Sequence, residues 1–167
     1  MIRLPRVPFY VLRAALVLLG LLSIASCVTV RRSAGDARAE LLALHQTVID
    51  AHATSDVELL LRDESDDYVV ANRGEITTPN KAARRARLGA YLGSTRFTVY
   101  RDEVAPVVRV SEDGTLGWVI VQVYASGEHR GESGQTTPVE FTSAWIELYE
   151  KRGGRWLRTG NVSNFKP

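Results

Sequence analysis

The residues of this chain with the strongest chemistry are three histidines, an adjacent pair of aspartates and a lone cysteine. His45 and His52 lie seven apart in a stretch, 36–53, whose apolar positions Leu41, Leu42, Leu44, Val48 and Ile49 recur at helical steps. On a helix they stand two turns apart, about 10.5 Å, too far for one metal to bridge. Both fall at the edge of the apolar stripe, one turn from Leu42 and Ile49, and read as buried or half-buried structural side chains rather than ligands or bases. Asp66 and Asp67 invite an acid/base reading. Neighbours in extended chain point to opposite sides, however, so the pair reads as a solvated corner between a helix and a strand. His129, between Glu128 and Arg130 in a polar stretch, reads as a solvated loop residue. The run of Lys81, Arg84, Arg85 and Arg87 reads as a solvated helix face, with contact to anionic lipid or cell-wall polymer as the sharper alternative. None of these patterns calls for a cofactor or a metal.

A second set of residues carries polar handles among apolar neighbours: Tyr68, Asn72, Trp118, Gln122, Trp145 and Asn161. Side chains of this kind fix the orientation of a ligand inside an apolar cavity. The competing reading makes Trp118 and Trp145 core packing and turns the others towards solvent or a second copy. The strands after Trp118 hold no histidine or aspartate outside their loops, and Glu140 is the one weak candidate for a catalytic base.

These residues need elements to place them. After the 36–53 helix, Ser55-Asp56-Val57-Glu58 has the form of a capping box and opens a short helix ending by Glu64. Tyr68 to Asn72 is a short strand closed by the turn at Arg73-Gly74. Thr78-Pro79 then caps a helix from Lys81 to Leu92 that Gly93 ends. Four β-type runs follow, Phe97 to Val110, Trp118 to Tyr124, Phe141 to Tyr149 and Trp156 to Val162. Pro106 marks a bulge or an edge in the first, and the apolar character of the second makes it central. Ser126 to Thr137 reads as a long polar connection, mobile at its tip. Short turns make these runs consecutive antiparallel neighbours.

The first 26 residues hold Arg3, Arg6 and Arg13 and no acid, followed by the apolar run Ala14 to Leu22, as in a signal peptide. Ser23-Ile24-Ala25-Ser26-Cys27 resembles the lipobox of bacterial lipoproteins, which implies that Cys27 is diacylated and becomes the first residue. Two or three acyl chains make such attachment long-lived. Ordinary cleavage after Ser26 would put Ile24 where a small side chain is wanted, and the uncharged stretch from Ala14 to Val30 is short for a bilayer span. Val28 in place of Asp resembles the outer-membrane class. The expected organisation is a signal peptide at 1–26, a lipidated tether at 27–35 reaching roughly 30 Å, and one domain at 36–167. Without the first three arginines, 18 basic residues face 19 acidic ones. That balance lacks the basic excess of a nucleic-acid binder. A single cysteine excludes an intramolecular disulfide and a cysteine-based zinc cluster.

The order helix, short helix, short strand, helix and long antiparallel sheet, with Trp145 to Tyr149 followed by Gly154-Arg155-Trp156, resembles the nuclear transport factor 2-like superfamily over about Asp36 to Phe165. The resemblance implies an α+β fold in which three N-terminal helices pack on a strongly curved antiparallel sheet, forming a cone with a pocket at its open end. It also implies frequent dimerisation through the sheet. The superfamily hosts ketosteroid-isomerase-like isomerases, SnoaL-like polyketide cyclases, dehydratases and non-catalytic binders, so fold does not select a function. The expected role is a membrane-anchored module of the cell envelope binding a small apolar ligand or a protein partner. A cofactor-free isomerase or lyase with a carboxylate of raised pKa, and a dimeric scaffold, are the alternatives.

Overall fold

The computed structural model describes residues 35–165, with side chains described up to residue 163. The expected signal peptide, Cys27 and the expected tether up to residue 34 lie outside the described residues. Helix α1 spans residues 35–53 and buries Ala37, Leu41, His45, Val48, Ile49 and Ala51, the inward stripe its periodicity predicts. Helix α2 (Val57–Leu61) follows a tight junction. Ser55 there has φ 55, a left-handed conformation that no N-cap adopts, so the cap is Asp56, whose side chain accepts from the Leu59 amide at 2.9 Å. The cap is thus displaced by one residue from the expected Ser55, and no capping box forms, because Leu59 stands at the third helical position and Glu58 pairs with Arg85. Helix α3 (Lys81–Ser94) is likewise capped by Asn80, which accepts from the Ala83 amide at 2.9 Å, rather than by Thr78. It continues through Gly93 to Ser94 before Thr95 turns extended. No helix among the described residues is long and apolar enough to cross a membrane.

The strands are β1 (Glu64–Asn72), β2 (Glu75–Thr77), β3 (Thr95–Asp102), β4 (Val107–Val110), β5 (Leu116–Arg130), β6 (Thr136–Arg152) and β7 (Arg155–Phe165). They form one sheet in the order β2-β1-β7-β6-β5-β3, with β4 also pairing β5. Every pairing is antiparallel except β1 with β7, which is parallel, so the sheet is mixed rather than wholly antiparallel. Pro106 lies between β3 and β4, which share β5 as partner along one edge, where no missing amide interrupts a ladder.

Three strands are longer than the composition suggests. Strand β1 starts at Glu64, which places Asp66 and Asp67 on the strand, exposed, with Asp67 paired to Arg152 at 2.8 Å. Strands β5 and β6 pair through Arg130↔Thr136, so the polar connection shrinks to residues 131–135, and His129 is a strand residue beside Thr95. Gly127 belongs to that extension for a packing reason. A Cβ there would lie 2.1 Å from the Arg96 carbonyl oxygen, next to the irregular register between Phe97 and Val99.

Alternation on β5 sends Gly117, Val119, Val121, Val123 and Ala125 inward. Val119, Val121 and Val123 join Leu41, Ile49, Val108, Tyr149 and Trp156 in the main core, while Phe97, Leu60 and Leu92 build a second cluster with Val48. Each such aliphatic side chain contributes about 1.5–3 kcal/mol by leaving water. The opposite face carries an unbroken apolar row across six strands. Val107 pairs Ile120, Ile120 pairs Ile146, Ile146 pairs Val162, Val162 pairs Ala71 and Ala71 pairs Ile76.

Gly127→Ala is expected to lower unfolding free energy by about 2–3 kcal/mol, because the new methyl must displace the Arg96 backbone. Urea denaturation measures this, and an unchanged midpoint would show that β3 has room to move.

Candidate functional site

The inner face of the sheet and the three helices enclose a cavity of about 740 Å³. Val48 and His52 of α1, Leu60 of α2, and Arg84, Arg87, Leu88 and Tyr91 of α3 supply one side. The sheet supplies Tyr68, Val70, Asn72, Tyr100, Phe141, Trp145 and Asn161 among others. The size falls within the range of small-molecule sites.

Its floor is ionic. Glu64, at the start of β1, is buried and accepts from Arg84 Nε at 2.6 Å, Arg84 Nη2 at 2.5 Å and Arg158 Nη2 at 2.8 Å. The Arg84 guanidinium lies 3.8 Å from the centre of the Tyr68 ring, so an aromatic face covers the cation. Arg158 also donates to the Leu60 carbonyl at 2.8 Å. Three elements meet at one carboxylate.

A second junction lies beside it. His45, 2% exposed, stands between Glu147 (Nδ1 to Oε1, 3.2 Å) and Asp102 (Nε2 to Oδ1, 2.9 Å). Glu147 also accepts from Trp145 Nε1 at 2.9 Å and the Tyr149 hydroxyl at 2.7 Å. Burial pushes the Glu147 carboxyl up, but the hydrogen bond and charge of His45, followed by Arg158 and Tyr149, outweigh it and hold the group at about 2. Burial likewise pulls His45 down, and the two carboxylates reverse this and raise it above its ordinary value. Among the described residues no group of three His, Cys, Asp or Glu is arranged to hold a metal ion.

The wall is aromatic. His52 stacks on Tyr100, ring centres 4.3 Å apart and 7° from parallel, with Tyr91 edge-on at 6.5 Å. Its Nδ1 donates to the Val48 carbonyl at 2.8 Å, and burial lowers its pKa to about 4, so the ring is neutral with Nε2 as an acceptor. Burial raises the Tyr91 hydroxyl to about 12. Both Tyr91 and Tyr100 line the cavity as uncharged phenols, and among the described residues their hydroxyls have no side-chain or backbone partner.

Of the residues expected to orient a ligand, Tyr68, Asn72, Trp145 and Asn161 line this cavity, and the Tyr68 hydroxyl donates to Asn161 at 3.3 Å. Trp118 and Gln122 do not. They occupy the even, outward positions of β5, where Trp118 is 40% exposed and Gln122 donates to Glu103 at 2.7 Å. Glu140 is also outward and exposed, accepting from Tyr124 at 3.0 Å, and lies outside the cavity lining. Arg84 departs from the solvated basic face expected of its neighbours because its side chain turns onto Glu64. Glu64, Glu147 and Arg158 were not expected at all. Strand parity signals two of them, since Glu147 shares a face with Trp145 and Tyr149, and Arg158 with Trp156.

The chemistry available is therefore recognition more than proton transfer. Glu147 is held at about 2 by its donors, so it is not the carboxylic acid of raised pKa that an isomerase reading requires, and Glu64 is already paired with Arg84 and Arg158.

The junctions predict a pH profile. His45 has a raised folded pKa, so its contribution is complete below 6.5 and is lost as pH rises through the folded value. Glu147 has a lowered one, so its contribution is complete above 4.5 and is lost as pH falls towards about 2. Stability should peak between these limits in urea titrations, and His45→Gln should flatten the alkaline limb. An alkaline limb equally steep in that variant would place the titrating group elsewhere.

No protein-family model and no curated protein sequence matches the chain. Solved structures do. An NTF2-like protein of unknown function from Pseudomonas putida KT2440 superposes with a TM-score of 0.62 at 18% identity, covering 78% of this chain and 87% of that one. An NTF2-like protein from Cytophaga hutchinsonii gives 0.59 at 16%, covering 75% and 95%. An uncharacterized protein with a cystatin-like fold from Caulobacter vibrioides gives 0.62 at 16%, covering 79% and 91%. Identities this low speak for architecture alone, and on that ground the chain has the nuclear transport factor 2-like cone fold that its order of elements implied.

Proposed function

We propose that this chain is a membrane-anchored lipoprotein of the cell envelope whose cone binds a small, largely apolar ligand without transforming it. The observation that carries the binding role is the cavity itself, which joins an aromatic wall, whose phenol hydroxyls and His52 Nε2 have no partner among the described residues, to a floor of paired ions. Neutral His52, Tyr91 and Tyr100 supply orienting contacts. The lipobox-like Ser23 to Cys27 supports the anchor, with Val28 favouring the outer membrane.

A second feature supports self-association. The outward row from Val107 to Ile76 leaves Val107 44%, Ile120 40%, Val162 45% and Ile76 77% exposed, beside Trp118 and Leu148. An exposed apolar band of that continuity marks a protein contact, and we assign it to a homodimer packed sheet to sheet.

Native mass spectrometry of the full chain released from detergent should show a retained small molecule that Leu88→Trp, which fills the cavity, removes. A bare chain mass in both, with no thermal shift across a panel of small apolar compounds, would reject the binding role. Cys27→Ser should leave the precursor unacylated and uncleaved, and normal processing with normal membrane retention would contradict the lipoprotein assignment. Sedimentation should give a dimer that Trp118→Glu converts to monomer, whereas a monomeric parent chain would exclude the sheet contact.

A further inference from the structure

We propose that the ligand of this cavity is an amphipathic organic anion, a carboxylate carried on an aromatic or alicyclic body, and that Arg73 and Arg87 receive its charged group. The inference rests on the binding role proposed above and names the ligand class.

The argument begins with which charges are already spent. On the floor, Glu64 engages Arg84 and Arg158, and Glu147 engages His45, which Asp102 also holds. Within the lining itself, Glu64 and Glu147 stand against Arg84 and Arg158, two formal charges of each sign. The remaining charged lining residues are Arg73, Arg87 and Glu75, all exposed, and among the described residues none makes a side-chain hydrogen bond or ion pair to another residue. The cavity therefore carries one uncompensated positive charge, supplied by two guanidinium groups with open donors.

Their placement fits a ligand with an apolar body. Arg87 lies three residues beyond Arg84 on α3 and is followed by Leu88 and Tyr91, which line the same cavity, so the cation borders the aromatic wall. Arg73 reaches the cavity from the β1–β2 turn, where it holds φ 54 and Gly74 holds 81. A left-handed position costs a side-chain-bearing residue about 1–2 kcal/mol relative to glycine. An arginine there works against the local turn preference and adds a cation to the cavity lining. Guanidinium forks match a carboxylate in geometry and charge. A cationic ligand would meet repulsion at the same place.

The test compares 2-naphthoate with its neutral isostere 2-naphthamide, by calorimetry on the full chain in a non-ionic detergent at low salt. The wild-type chain should bind the naphthoate about tenfold more tightly, a preference that fades as salt is added. Arg73→Gln with Arg87→Gln should remove that preference by weakening naphthoate binding about tenfold while lowering amide binding far less; both residues are exposed, so the variant keeps its fold. Ser163→Phe, which narrows the cavity, should weaken both probes. Equal affinity for the two probes, or a preference that survives the double substitution, would overturn the anion assignment while leaving the binding role intact. Binding of neither probe would overturn both.

Discussion

The buried carboxylate of Glu64 holds this domain in shape. It opens β1, takes both nitrogens of a fork from Arg84 on α3, and takes a third contact from Arg158 on β7. The same corner is tightened by Arg158, whose amide donates to the Asp63 carbonyl at 2.7 Å and whose guanidinium donates to Leu60 at the end of α2. Helix α3 has few fully buried side chains, Arg84 and Leu92, so ionic contact supplies much of its attachment to the sheet. Such a junction contributes little over a well-packed apolar substitute, but losing one partner leaves a buried charge exposed to its own desolvation cost, about 3–5 kcal/mol. Its role is to fix where α3 stands and so how wide the cone opens.

That constraint explains the chemical temperament of the interior. A cavity that needs ions to hold its walls apart must engage them, and engaged carboxylates are poor bases. Trp145 and Tyr149 flank Glu147 on its own strand and donate to it, while His45 approaches from the helix layer. Besides Arg84 Nη1 and Arg158 Nε on the floor, which are buried without a hydrogen-bond partner among the described residues, the polar groups left for a ligand are neutral ones higher on the wall, His52, Tyr91 and Tyr100, and the arginines Arg73 and Arg87.

Much of the scaffold was readable from local pattern. The stripe of α1, the antiparallel pairing of β5, β6 and β7, the turns at Arg73-Gly74 and at Gly153-Gly154, where φ is 58 and 81, and the break at Pro106 each rest on neighbours in sequence, whereas the parallel pairing of β1 with β7 does not. The site was readable only in part, because its partners are remote. Glu64 meets Arg158 across 94 residues, and nothing near Glu64 distinguishes it from the tail of a helix. Arg84 sits in a basic run whose neighbours Arg85 and Arg87 are exposed, so charge alone misassigns it. Trp118 and Gln122 were placed inside by composition, yet the parity of one strand decides between core and surface, and β5 turns its odd positions inward. Gly127 and His129 looked like loop because glycine and charge are common there, whereas close approach of Arg96 explains the glycine within a strand.

The interruption at Pro106 has a further effect at the boundary of the sheet. One margin is formed by β3 and β4 with a break between them, and the other by β2, only three residues long. Neither margin offers an incoming strand a long, regular ladder of free amides and carbonyls, so the sheet resists growth by strand addition. A domain with a broad apolar outer face and stunted margins can meet another copy back to back, in a contact that closes on itself, and has no ready route to an open-ended fibre.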